Sequence, residues 1–124
     1  MTAGDKAIQI LDGGMGRELK KIGAPFRQPE WSALALMQSP ELVSDVHTHF
    51  LNAGATVITT NAYALVPFHI GEQAFKLAET AAKLARDAVN AQQGEQEGKL
   101  SVAGCIPPAF GSYRPDLFDA SRVS

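Results

Sequence analysis

Three short apolar runs alternate with segments of helical character, and that alternation constrains the fold more than any other feature of the chain. The first run, residues 7–11, enters Asp12-Gly13-Gly14 and reads as a buried strand ending in a turn. The second, residues 56–60, is β-branched throughout, and side chains stiff at χ1 favour an extended chain. The third, residues 100–106, is stopped by Pro107-Pro108. Ser39-Pro40-Glu41 supplies a capping hydroxyl, a proline suited to the first helical position and an acid in the first turn, which predicts a helix over residues 40–52. Leu42, Val43, Val46 and Phe50 make its apolar stripe, and Gly54 ends it. Residues 72–92, rich in Ala, Leu, Lys and Glu, predict a long helix with Glu72/Lys76 and Glu79/Lys83 paired at i,i+4. Shorter helices are expected over residues 17–22, closed by Gly23 and Pro25, and over residues 30–37. Gly94 to Gly98 reads as a polar connector, and the chain after the third strand reads as loop.

Strand, helix, strand, helix, strand is the pattern of parallel βαβ units, whose strands are buried on both faces. The fold class is therefore α/β, with a doubly wound sheet and a TIM barrel both open at this point. The glycines after the first strand, Gly13, Gly14 and Gly16, do not make the Gly-x-Gly-x-x-Gly pattern, which takes weight from a dinucleotide fold. At 124 residues the chain holds one domain or a piece of one.

Charge and cysteine usage exclude several partners. A formal net charge of -2, with eleven scattered Lys and Arg, offers no basic field for nucleic acid. No apolar stretch approaches the roughly 20 residues that span a bilayer, so no membrane is expected. Cys105 is the single cysteine, which forbids an internal disulfide, and a cytoplasmic location is the expectation.

The ends of the strands are where an α/β barrel would carry its chemistry. Asp12 followed by Gly13 and Gly14 suits a ligand ammonium beside bare backbone N–H groups, although the same residues also make an ordinary turn. Thr60 and Asn61 at the end of the second strand could hydrogen-bond a polar ligand, or simply end a threonine-rich strand. His47 and His49 are spaced i,i+2 and share no helix face, so both are expected to pack the helix rather than hold a metal. Trp31 is expected as a core aromatic, and His69 in a loop. Cys105 is expected to act as a small apolar side chain rather than a nucleophile, and no metal-ligand spacing links it to the three histidines.

Three linked blocks make the reading specific: residues 10–19 (Ile-Leu-Asp-Gly-Gly-Met-Gly-Arg-Glu-Leu), Trp31-Ser32-Ala33, and His47 through Tyr63. With Val102-Ala103-Gly104, Ile106 and Pro108, they resemble the homocysteine S-methyltransferase family over residues 8 to 118. The resemblance implies a TIM barrel that moves a methyl group from S-methylmethionine or S-adenosylmethionine to homocysteine, giving methionine, with zinc holding the acceptor thiol as thiolate. It implies that Asp12 meets the substrate amino group, that Gly13 and Gly14 give backbone contacts, and that Thr60, beside Asn61, helps to bind the carboxylate end. The family's zinc cysteines lie in later strands, and Cys105 stands where the family commonly has Ser, so no metal ligand and no catalytic residue is assigned here. Residues 1–124 are thus expected to form a partial barrel domain of about three βα units, the amino-terminal portion of eight. Two rival readings stand beside it. One is a noncatalytic half-barrel that binds a small amino acid or pairs with a second copy as a homo-oligomer to cover its open edge. The other is an α/β enzyme acting through Cys105.

Overall fold

The computed structural model describes residues 8–94, 98–111 and 114–123; Ala7 at the start of the expected first strand, the middle of the expected connector and Ser124 lie outside them. In chain order the elements are α1 (Met15–Lys21), α2 (Ala33–Gln38), α3 (Pro40–Asn52), β1 (Val57–Thr59), α4 (Pro67–Ile70), α5 (Gln73–Gln93) and β2 (Ser101–Ala103), followed by 3-10 turns at Pro115–Leu117 and Ala120–Arg122. Strands β1 and β2 pair in parallel with Ile58 opposite Val102, and α5 is the crossover between them.

Glycine decides where two of the helices stop. Gly23 (φ 80°) follows α1, with the Ala24 N–H donating to the Leu19 carbonyl and the Gly23 N–H to that of Lys20. Gly54 (φ 107°) follows α3, with Ala55 bonded to Phe50 and Gly54 to Leu51 in the same manner. Both are Schellman caps, which need the left-handed conformation that glycine adopts without steric cost. The second cap delivers the chain directly into β1.

Two apolar clusters hold the layers together. Leu19, Leu36, Val43, Val46, Leu65 and Ile70 bury between α1, α2, α3 and the loop before α4. Leu51, Ile58, Ala85, Ala88 and Val89 bury between the sheet and the α3–α5 pair. The alanines on α5 let it lie close against the sheet, with α3 beside it, so the sheet has one covered face.

The structure corrects several expectations. Residues 8–11, the described part of the expected first strand, do not form a ladder strand: Leu11 makes an isolated parallel bridge to Val57, supported by Thr56 N–H to Ile10 O (2.8 Å) and Asp12 N–H to Val57 O (3.0 Å). Nor are the strands buried on both faces, since Ile8 is 88% exposed, Ile106 is 94% exposed and β2 is at best half-buried. A strand gains burial only from layers on both sides, and helices cover one side here. Ser39 makes no side-chain cap bond to α3. On α5 the ion pairs are Lys76–Glu79 and Lys83–Asp87, not Glu72/Lys76 and Glu79/Lys83, because Glu72 is the residue before the helix and Lys83 reaches forward along it. His69 lies in α4 rather than a loop, and the chain after β2 contains 3-10 turns. No described helix is long and apolar enough to cross a membrane.

Candidate functional site

The ends of the Leu11 segment, β1 and β2 point to the same side, and a cleft of about 460 Å3 opens there. Asp12, Gly13, Gly14, Thr60 and Asn61, the residues singled out from sequence, all line it. So do Arg17 from α1, Phe26 and Trp31 from the loop before α2, Thr59, Tyr63 and Cys105. Its size lies within the roughly 300–1,000 Å3 usual for small-molecule sites.

Each polar group at the strand ends is held by a neighbouring element. The Thr59 N–H donates to Asp12 Oδ2 at 2.7 Å and the Thr59 hydroxyl to Oδ1 at 3.2 Å. Those two bonds fix the carboxylate across the strand gap and leave it capacity to accept more, because a carboxylate has about four lone-pair sites. Thr60 Oγ1 accepts the Cys105 N–H at 3.0 Å, which ties β1 to the end of β2 and keeps the hydroxyl hydrogen for another acceptor. Asn61 is 4% exposed and its Nδ2 donates to the Ser32 carbonyl at 3.0 Å, pinning the Trp31-Ser32 loop onto the strand end.

The glycines are required by aromatic neighbours as much as by any ligand. A Cβ on Gly13 would lie 3.0 Å from Phe50 Cε1, and one on Gly16 would lie 2.8 Å from Phe26 Cε2. Phe26 stands edge-on to Trp31 at a centroid distance of 6.0 Å. Trp31 itself has a positive φ of 50°, held by its N–H bond to Arg27 O at 2.7 Å, and it is half-buried against the core as well as lining the cleft. A tryptophan in that conformation stores strain that the surrounding contacts must offset.

Two titratable groups are shifted by burial. His47 is fully buried on α3, and neither ring nitrogen has a hydrogen-bond partner among the described residues. Desolvation pushes its pKa down, opposed by the negative charge of Asp12. His49, expected to pack, instead lies exposed 3.7 Å from Glu18, since i,i+2 spacing turns it to another face. Burial also pushes the Cys105 thiol up, which keeps it protonated and a poor nucleophile. Among the described residues no three His, Cys, Asp or Glu side chains gather as a metal site. The zinc implied by the resemblance therefore does not fit the residues present, and no step is derived through it.

Sequence reading brought the strand-end residues together but missed Arg17, Phe26, Thr59 and Tyr63 and took Trp31 for a core residue only. For Thr59 the signal was present, since it directly precedes Thr60 at a strand end. Phe26 and Trp31 reach the cleft from an irregular loop whose path no periodicity encodes.

A family model described as homocysteine S-methyltransferase matches residues 9–122. Homocysteine S-methyltransferase 1 of Zea mays is 39% identical over 93% of this chain and 38% of its own length. The homocysteine S-methyltransferase of Escherichia coli K12 is 35% identical over 88% of this chain and 37% of its own. The crystal structure of the homocysteine methyltransferase MmuM from Escherichia coli, in its metallated form, superposes with a TM-score of 0.75 at 34% identity, covering 84% of this chain and 39% of that one. The chain thus spans well under half the length of the relatives it matches.

Proposed function

The chain belongs to the homocysteine S-methyltransferase family, and on that premise we propose that its cleft is the amino-acid side of the acceptor site of an enzyme that methylates homocysteine. Residues 1–124 in this reading are about three βα units from the amino-terminal portion of a TIM barrel. The methyl donor is a sulfonium, S-methylmethionine or S-adenosylmethionine. A bond forms between the homocysteine sulfur and the methyl carbon as the carbon–sulfonium bond breaks; the acceptor thiol loses its proton and the donor leaves as a neutral thioether. The product is methionine.

Within this reaction the chain's own residues bind and orient. Asp12, fixed by its two bonds from Thr59, takes the substrate ammonium. The backbone at Gly13 and Gly14, the free hydroxyl hydrogen of Thr60 and the amide of Asn61 border the rest of the amino-acid end. Holding the α-carbon at these points fixes where the thiol projects, which turns a collision into an oriented displacement. The zinc of the family would be held by residues beyond those described here. Handling a free thiol substrate suits a reducing, cytoplasmic compartment.

The observation that carries this reading is the convergence of Asp12, Gly13, Gly14, Thr60 and Asn61 on one cleft at the strand ends. Its test is methyl transfer to homocysteine by the full-length protein with each donor in turn. Methionine formation that falls at least about tenfold in kcat/KM in Asp12→Asn is expected. No methionine from either donor, with no homocysteine binding by calorimetry, sinks the reading. A second reading, a noncatalytic half-barrel that pairs with another copy, draws on the exposure of Ile8, Ile10, Leu11 and Ile106. It requires an apparent mass that doubles with concentration.

A further inference from the structure

Helix α3 turns one face to the Asp12-Gly13 turn that borders the cleft. A Cβ on Gly13 would lie 3.0 Å from Phe50 Cε1 and 3.3 Å from Cζ, so the Phe50 ring stands directly against that turn. His47 comes about one helical turn before Phe50 and shares its face. It is fully buried, and among the described residues neither ring nitrogen has a hydrogen-bond partner, an arrangement that costs stability and holds nothing in place. The charged groups on the elements packed against α3 are turned elsewhere. On α1, Glu18 lies 3.7 Å from His49, while Arg17, Lys20 and Lys21 are exposed. On α5, Lys76, Glu79, Lys83, Arg86 and Asp87 are all exposed, and Ala81, Ala85, Ala88 and Val89 are the buried residues. Helix α2 and strand β1 carry no charge, and on α3 itself Glu41, Asp45 and His49 are exposed. Of all these, and of Glu30 in the loop before α2, it is Asp12 whose charge is felt at the imidazole.

Asp12 therefore stands between the cleft in front and a buried, titratable ring behind. One carboxylate cannot serve two cations at full strength. A protonated His47 would neutralise the charge that a ligand's ammonium meets, and two like charges in a partly dry site repel each other. A neutral imidazole leaves the carboxylate its whole field, and desolvation keeps the ring neutral at pH 7 by disfavouring its charged form. We propose that His47 is a positioning residue that acts through Asp12: its protonation and the binding of an ammonium ligand oppose each other across the carboxylate, so the cleft loses affinity for amino acids as the ring takes up its proton. Coupling of this kind is reciprocal, so a bound ammonium also drives the proton off the ring. The proposal rests on the reading of the cleft as the amino-acid side of the acceptor site.

Calorimetry on the full-length protein isolates this coupling, using L-homocysteine and its deaminated analogue 4-sulfanylbutanoate under reducing conditions between about pH 7.5 and 5.5. Both ligands carry the thiol, so its titration cancels in the comparison. On lowering the pH, the wild-type Kd for homocysteine is expected to rise about fivefold or more relative to that for the analogue. His47→Phe, which keeps a ring and removes the titration, should abolish that difference between the ligands. Nuclear magnetic resonance of the wild type decides the matter without a variant, so a failure of His47→Phe to fold leaves the test intact. The His47 Cε1 signal should titrate below about pH 6.5, and homocysteine, unlike the analogue, should shift that titration to lower pH. A His47 titration that homocysteine leaves unmoved, or one that does not begin by about pH 5.5, overturns the proposal and leaves homocysteine binding standing. A pH dependence retained in folded His47→Phe overturns it too. If the wild type binds no homocysteine at any pH, the reading of the cleft itself fails and the role of His47 falls with it.

Discussion

Gly16→Ala should destabilise the chain although it places a better helix former inside α1. In an unobstructed helix the exchange gains about 1 kcal/mol. Here the new methyl carbon would lie 2.8 Å from Phe26 Cε2 and 3.2 Å from Cζ, whereas carbon atoms prefer roughly 3.5–4.0 Å. The ring must withdraw by roughly 0.7 Å, which is the difference between those distances. Its retreat is resisted by the edge-on contact with Trp31, a kind of pair worth about 0.5–1.5 kcal/mol beyond its buried area. Overpacking of this sort costs about 1–3 kcal/mol, so the net effect is a loss of about 0–2 kcal/mol. The sign is decided by Phe26. With Phe26→Ala in place, Gly16→Ala should stabilise by about 1 kcal/mol, which makes the coupling energy about 1–3 kcal/mol. Urea denaturation followed by fluorescence suits the test, because Trp31 is the only tryptophan and stands against the ring that must move. A coupling energy near zero, with Gly16→Ala stabilising in both backgrounds, would refute the packing argument.

Four further outcomes follow from the same contacts. His47 is buried neutral with its pKa lowered, so the unfolded chain takes up its proton first as pH falls; stability is complete above about pH 6.5 and declines below it. His47→Phe should flatten the dependence of the urea midpoint on pH between about 7 and 5, and a curve parallel to wild type would exclude His47 as its source. Thr60→Val leaves the Cys105 N–H without its acceptor and should cost about 1–3 kcal/mol, while Thr60→Ser should cost much less. Asn61→Ala strips the buried Ser32 carbonyl of its donor, with an expected loss of about 1–3 kcal/mol by chemical denaturation. Cys105, half-buried with a raised pKa, should react with iodoacetamide more slowly than a free thiol at pH 7.5; rapid alkylation would revive a reactive role for it.

What could be read from the sequence was what local chemistry encodes. The cap at Gly54, the stripe of α3 and the β-branched run of β1 each depend on residues a few positions apart, and each is present. Residues 7–11 read as a full strand because their apolar content is that of one, but a ladder needs partners that composition does not supply, and among the described residues only the Leu11 bridge forms. Helix α4 escapes detection for the opposite reason, since four residues are too few to display a helical period. The strand-end residues of the cleft were legible because parallel strands bring their carboxyl ends together wherever they pair. Phe26 was not, because it reaches the cleft from an irregular loop.

The scaffold holds the polar residues of the cleft. Asp12 accepts two bonds from Thr59, Thr60 accepts one from Cys105 and Asn61 donates one to Ser32, and each faces the cleft with what remains. Those bonds span 47, 45 and 29 residues of chain, so the polar groups are positioned by the pairing of distant elements rather than by flexible loops. Preorganisation of this kind lowers the entropy lost on binding. It also means that changing any of the three should lower stability and ligand affinity together.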